Sequence, residues 1–270
     1  MNGLLKNYSL VRYGLRIVCV MIVGACCSTP VVAQKTVAPE SPTVAEAPPA
    51  VTQKTAAPET GETNVKPGIN KPFLDPNLKV EDWLARFEVE SREVYAARAE
   101  ILRALELKAG MAAADVGAGT GLFTLLMSQQ VGPQGWVYAV EISPRFLEHL
   151  GQLAVDHHLA NVTPVLGGQQ SIRLPPASID LAFLCDVYHH FEYPQSSLAS
   201  IHRALRPGGR LVVIDFKRIE GESRDWILGH VRAGQATVRQ EIEAAGFEWA
   251  NEPKIELLSE NYFLVFCKKP

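Results

Sequence analysis

Between Ser28 and Pro72 the chain has no leucine and no aromatic residue, and Pro, Thr, Ala, Glu and Val fill the space instead. Such a segment cannot bury enough apolar surface to offset the entropy of ordering it, so a disordered or extended tether is expected. Cysteine is scarce as well. Cys19, Cys26 and Cys27 precede the tether, which leaves only Cys185 and Cys267 for the body. Two distant thiols make no disulfide scaffold and show no metal-ligand spacing, so no metal is expected, and chemistry that wants several converging thiols is disfavoured. Dense Lys/Arg runs are missing too, and the formal net charge is −3, which offers no general attraction to nucleic acid or an anionic membrane.

A long apolar run is also lacking. "IVCVMIVGACC" (Ile17 to Cys27) is too short to span a hydrocarbon core of roughly 30 Å comfortably. Lys6, Arg12 and Arg16 precede it, and "VVA" (Val31 to Ala33) follows with small residues suited to a signal peptidase. Residues 1–33 therefore read as an export signal. "VGAC", ending at Cys26, is an alternative lipoprotein cleavage box, and an uncleaved anchor is a third reading. The expected location is periplasmic, or tethered to the outer side of the inner membrane. Residues 34–72 form the linker, in which "QKTVAPE" (Gln34 to Glu40) returns as "QKTAAPE" (Gln53 to Glu59), a repeat that suggests linker growth.

From residue 73 to 270 the pattern is that of a folded domain; 47% of the whole chain is hydrophobic, ample for a core. Trp83, Leu84, Phe87, Val94, Tyr95, Ile101, Leu102 and Leu105 fall at helical spacing and predict one or two amphipathic helices. Arg92, Tyr95 and Arg98 on that segment form either a lid or a solvated face. Strands are predicted near Ala112 to Val116, Trp136 to Val140, Val162 to Leu166, Ile179 to Cys185 and Arg210 to Phe216. Helices are predicted near Leu122 to Gln130, Pro144 to His157 and Gln195 to Leu205. The helix "TVRQEIEAAG" and a closing strand, "NYFLVFCKK", complete the chain. This alternation implies an α/β, doubly wound, mostly parallel sheet covered on both faces.

In such a sheet, ligands bind beyond the carboxyl ends of strands where the order reverses. "ADVGAGTGLF" (Ala114 to Phe123) lies at the end of the first strand, and Gly117, Gly119 and Gly121 let a ligand approach the main chain. Twenty residues after Gly121, Glu141 closes the second strand, at the spacing of an acid that accepts the hydroxyls of a ribose. A dinucleotide site would read G-x-G-x-x-G; this chain reads G-x-G-x-G after Asp115, a carboxylate better matched to a cationic ligand than to a diphosphate.

In "DVGAGTG", "VYAVE", "LPPASIDLAFLCDVYHHF" and "LRPGGRLVVIDF", taken in order over about Glu81 to Lys268, the sequence resembles the class I S-adenosylmethionine-dependent methyltransferases. Within them it resembles the small-molecule branch that includes quinone-biosynthesis C-methyltransferases. The resemblance implies a seven-stranded sheet with an antiparallel final strand, and S-adenosylmethionine as cofactor. It implies a cofactor site at Asp115, Gly117, Gly119, Thr120, Gly121, Glu141, Ile142 and Asp186. Many relatives place an acid after the third strand to read adenine; "GGQQS" stands here instead, so Gln169, Gln170 or Ser171 is expected to bond the base.

"CDVYHHFEYP" follows the fourth strand and puts Tyr188, His189 and His190 near the reacting methyl, as acceptor-aligning or proton-accepting groups or as corner packing. Arg232 in "GHVRAG" either clamps an anionic substrate or pairs with Glu241, and His230 is its neighbour. The expected reaction is methyl transfer to a small molecule. The alternatives are a nicotinamide oxidoreductase on a similar sheet and a non-catalytic nucleoside-binding module.

Overall fold

The strand at Ala112–Val116 (β1) has every residue buried, which is how a parallel strand reads when both sheet faces are covered. It is the centre of the computed structural model, which describes residues 61–269. The expected export signal, the lipoprotein box and most of the linker lie outside these residues. Among the described residues, no helix is long and apolar enough to cross a membrane.

Strands β2 (Trp136–Glu141), β3 (Val162–Leu166), β4 (Ile179–Cys185), β5 (Leu205–Phe216), β6 (Phe247–Asn251) and β7 (Asn261–Lys268) join β1 in one sheet of order β3-β2-β1-β4-β5-β7-β6. The pairs β1–β2, β1–β4, β2–β3 and β4–β5 are parallel, while β7 runs antiparallel between β5 and β6. The chain builds outward from β1 to β3, then returns to β4 on the other side of β1. The reversal point therefore lies between β1 and β4, where a ligand crevice is expected.

Alternate residues of each strand feed two cores. On one face, Val116, Leu184, Val213 and Leu264 pack with Leu198 and Ile201 of α6 (Pro194–Ala204) and with Val238 and Ile242 of α8 (Gln235–Ala244). On the other, Val137, Phe183, Val212 and Ile214 meet Ile101 of α3 (Arg98–Ala104) and Phe123, Met127 and Val131 of α4 (Leu122–Val131). Helix α5 (Pro144–Asp156) lies along β2 and β3, and the short α7 (Asp225–His230) follows β5.

The structure departs from the sequence expectations in three places. The N-terminal helical segment is three pieces, α1 (Val80–Phe87), α2 (Glu93–Ala96) and α3, because the chain turns at Glu88 to Arg92. Strand β5 begins at Leu205, five residues ahead of the expected Arg210, with Gly208 at φ +73° and a register shift opposite Ile179 and Leu181 carrying the irregularity. The tether expected to reach Pro72 is also too long, since residues from Glu62 onward are anchored. The Glu62 carboxylate accepts the Gln195 and Ser196 amides at 2.7 and 2.8 Å, capping the start of α6. Val65 donates its amide to the Glu192 carbonyl, and Asn70, buried, donates to the His190 carbonyl at 3.0 Å. These polar contacts compensate for the lack of large apolar side chains that made the segment look unfolded.

Two glycines of the bend after β1 hold their places for different reasons. A Cβ at Gly121 (φ +89°) would fall 2.5 Å from Leu153 Cδ2 of α5, whereas one at Gly119 (φ +53°) would meet nothing nearer than 3.8 Å. Gly119→Ala should therefore carry only the left-handed backbone penalty of about 1–2 kcal/mol. Gly121→Ala should add overpacking of roughly 1–3 kcal/mol. Urea melts of the two variants check this; equal losses would contradict it.

Candidate active site

The carboxyl ends of β1, β2, β4 and β5 open on a cavity of about 530 Å³, within the usual range of small-molecule sites. One wall is the glycine bend. Gly117 at φ +74° leaves no room for a side chain, because a Cβ there would sit 2.5 Å from Val187 beyond the end of β4. The bend is tied to β2 by the Gly117 and Ala118 amides, which donate to the Val140 carbonyl at 2.8 and 3.1 Å.

Glu141, buried at the tip of β2, faces this bend. Its Oε2 accepts the Gly119 amide at 2.9 Å, and its Oε1 accepts the Ile142 and Ser143 amides at 2.7 and 2.9 Å. Three backbone donors fix the carboxylate before any ligand arrives. Oε2, with a single donor here, keeps one acceptor site for a ligand hydroxyl.

Two more acids line the same space. Asp115 accepts the Thr124 hydroxyl at 2.6 Å. Burial nevertheless pushes its pKa up to about 6, with the nearby Glu141 charge adding to the rise and the Thr124 bond opposing it. Burial raises Glu141 as well, against the three amides. Asp186, at φ +55°, is also raised by burial, and the Arg92 guanidinium 2.6 Å away counters this; Asn261 donates to its other oxygen. Arg92 thus takes part in the site and is anchored on the Phe87 carbonyl. Buried carboxyls that resist ionising favour a ligand that brings positive charge.

The far end of the cavity is aromatic and histidine-rich. Phe73 and Trp83 pack at 4.7 Å between ring centroids, and Trp226 stacks on His230 at 4.9 Å. His189 and His190 sit on a 3₁₀ turn at Tyr188–His190 and both line the cavity, together with His230 from α7. Asp215, the penultimate residue of β5, accepts His189 Nδ1 at 2.7 Å and the His189 amide at 2.9 Å. Nδ1 is thereby engaged with the carboxylate, and Nε2 is the ring nitrogen left without a hydrogen-bond partner. Burial, then the adjacent His189 and His230, takes the His190 pKa down to about 2, and burial lowers His230 too.

Most residues expected at the site gather here: Asp115, Gly117, Gly119, Thr120, Glu141, Ile142, Gln169, Asp186, His189 and His190 all line the cavity. Gly121 stands behind it as the helix-packing glycine, and Gln170 is outside the lining while Gln169 and Ser171 are in it. Tyr188 lies away from the cavity, fully buried, its hydroxyl donating to Glu241 at 2.7 Å. Arg232 is turned the same way. Its fork grips Glu241 at 2.8 and 2.7 Å and its guanidinium lies over the Tyr188 ring, so the structure shows the Glu241 pairing that was the alternative to a substrate clamp. Burial works against both charges of that pair. The mutual hydrogen bonds outweigh it, raising Arg232 and lowering Glu241. Asp215, Asn70 and Phe73 were not singled out in the sequence. Asp215 is the lone acid of β5 and directly follows its buried apolar run Leu211–Ile214.

These residues fit S-adenosylmethionine: a fixed acid for the ribose, a side-chain-free bend for the chain of the ligand, and buried carboxyls for its cationic part. Comparison with known proteins agrees. A family profile described as "Methyltransferase domain" matches residues 114–213. A ubiquinone/menaquinone biosynthesis C-methyltransferase from a Marinomonas species is 30% identical over 117 residues, covering 43% of this chain and 47% of that protein. A demethylmenaquinone methyltransferase from a Geobacillus species is 26% identical over 118 residues, covering 44% and 50%. The chain thus spans about half the length of these curated relatives. A SAM-dependent methyltransferase from Aquifex aeolicus superposes with a TM-score of 0.62 at 22% identity, over 70% of this chain and 98% of that one. An S-adenosylmethionine-dependent methyltransferase from Mesorhizobium loti gives 0.51 at 19% identity, over 66% and 99%. The structural likenesses establish a shared fold with S-adenosylmethionine-dependent methyltransferases, and the methyltransferase-domain profile matches the part of it that runs from residue 114 to residue 213.

Proposed function

We propose that the protein transfers the methyl group of S-adenosylmethionine to a small, largely apolar or aromatic acceptor. The observation that carries this reading is the Glu141 carboxylate held 2.9 Å from the Gly119 amide, beside Asp115, at one end of a cavity whose other end is walled by aromatic rings. S-adenosylmethionine supplies a methyl group already activated by its sulfonium, so the chain's own task is alignment. Asp115 favours the cationic end of the cofactor, Asp186, already paired with Arg92, closes the same wall, Glu141 holds the ribose, and Gln169 or Ser171 bonds the base. Phe73, Trp83 and Phe87 exclude water from the acceptor side. Fixing two reactants in line can supply on the order of 7–11 kcal/mol without a dedicated base.

His189 and His190 are the groups nearest to acting as catalysts. With no metal bound there, the His189 ring nitrogen turned away from Asp215 would take a proton from an acceptor. Carbon methylation in quinone biosynthesis, for which the Marinomonas relative is named, suits the aromatic wall. A nicotinamide oxidoreductase fits less well, since Asp115 would face a diphosphate. The N-terminal basic-then-apolar segment supports export, with the domain working outside the cytosol.

Asp115 gives a pH test. With its pKa near 6, the carboxyl is neutral below that pH and charged above it, and only the charged form attracts the cation. Calorimetric affinity for S-adenosylmethionine should fall by up to about tenfold per unit as the pH drops below 6. In Asp115→Asn the slope should be shallower; an identical slope would contradict the role.

Function and location can be tested together. Cells expressing the full chain are fractionated, and the purified protein is incubated with methyl-labelled S-adenosylmethionine and an extract of the cell envelope. Label should pass into a small organic-soluble product, and the protein should be recovered outside the cytosol. No labelled product from envelope or cytosolic extract would reject turnover, and purely cytosolic recovery would reject export.

A further inference from the structure

His189, His190 and His230 converge so that one ring nitrogen from each lies within 4.8 Å of the others. Their ring centroids are 4.3, 5.1 and 5.2 Å apart, and no carboxylate or thiol intervenes. No hydrogen bond joins the three rings to one another, although a ring nitrogen of each is turned into the same small space. The Nδ1 of His190 is buried and has no partner, and the His189 Nε2 is left free because Asp215 takes the other ring nitrogen.

We propose that these three histidines bind one divalent transition-metal ion of the zinc type at the acceptor end of the cavity. Neutral imidazole nitrogens are the ligands such borderline ions prefer, and a three-histidine set leaves a position open for a small molecule. Asp215 is the outer partner that metal-bound histidines commonly have, fixing the tautomer and ring direction of His189. It also supplies negative charge close to the cation. The remaining walls hold the rings in place: Trp226 stacks on His230, and Phe73 meets His190 edge-on at 5.2 Å. Lys66, a cation close enough to act on His230, is engaged with the Gly229 carbonyl at 3.1 Å. Zinc–nitrogen bonds of about 2.0–2.1 Å put tetrahedral ligand atoms roughly 3.3 Å apart, so the rings must close by about 1.5 Å at most, a side-chain rotation.

The expectation of a protein without metal came from cysteine spacing, and His230 is forty residues from its partners in sequence, beyond the reach of any local motif. The open position faces the cavity. On the methyl-transfer reading it would receive an anionic oxygen of the acceptor, and the metal site itself does not depend on that reading.

The test is cobalt(II) titration of the purified, chelator-treated full chain without S-adenosylmethionine, followed by visible spectroscopy. One cobalt per chain should bind with the intense bands of a four-coordinate nitrogen site, and acetohydroxamate should shift them by taking the open position. His230→Ala, at a half-buried position whose loss the fold should tolerate, should weaken binding roughly a hundredfold, and Asp215→Asn about 10–100-fold. His202→Ala, remote from the cluster, should bind as the wild type does. Circular dichroism of each variant separates metal loss from unfolding. Cobalt affinity unchanged in folded His230→Ala, no saturable binding, or thiolate charge-transfer bands placing the ion on Cys19, Cys26 or Cys27 would each overturn the proposal. A metal site confirmed by cobalt with no methyl transfer would refute the enzyme reading alone.

Discussion

Three backbone amides converging on the Glu141 carboxylate organise this protein. They join the bend after β1, the tip of β2 and the turn that leads into α5 through one side chain. The bond from Gly119 reaches across to the neighbouring strand, so the carboxylate and the bend cannot separate without a buried charge losing its partner, a costly event in a low-dielectric site. The glycines make the approach sterically feasible. A side chain at Gly117 would strike Val187, and one at Gly121 would strike α5. The ligand-facing main chain is therefore a consequence of packing behind it as much as of space in front.

Charge distribution follows from the same arrangement. Asp115, Glu141 and Asp186 are gathered at strand ends and buried, which raises all three pKa values. Arg92 compensates for one of them from the N-terminal helical segment, so that segment completes the site electrostatically as well as covering it. Of the other two, Asp115 remains available to a cation and Glu141 to the hydroxyls of a ribose. At the opposite end Asp215 orients His189, and the buried Arg232–Glu241 pair with Tyr188 supports the corner behind the histidine turn.

Much of this was legible in the sequence because central parallel strands covered on both faces read as short apolar runs. Ala112–Val116 and Ile179–Cys185 stand where their apolar runs put them, and the half-buried edge strand Val162–Leu166 also falls at its expected bounds. Strand β6 was harder to locate, since four of its five residues are exposed and only Phe247 anchors it. The anchored stretch from Glu62 to Pro72 was hidden because it is held by carboxylate and amide contacts to residues more than a hundred positions away, which composition does not report. Among the site residues, those on the glycine bend and at Glu141 follow from local spacing. Tyr188 and Arg232 sit beside the right elements but face the core side, a choice made by Glu241 on a later helix. Asp215 and the meeting of His230 with the histidine turn depend on β5 lying next to β4, a tertiary fact.

The central claim is that Glu141 and the bend together hold the adenosyl group. Its most direct measurement is calorimetric binding of S-adenosylhomocysteine to the wild type and to Glu141→Gln, with folding verified by thermal melts. Hydrogen bonds to a charged group are worth about 1.5–3 kcal/mol, so the account predicts an affinity loss of roughly tenfold to a hundredfold. A folded Glu141→Gln protein that binds with wild-type affinity would contradict it.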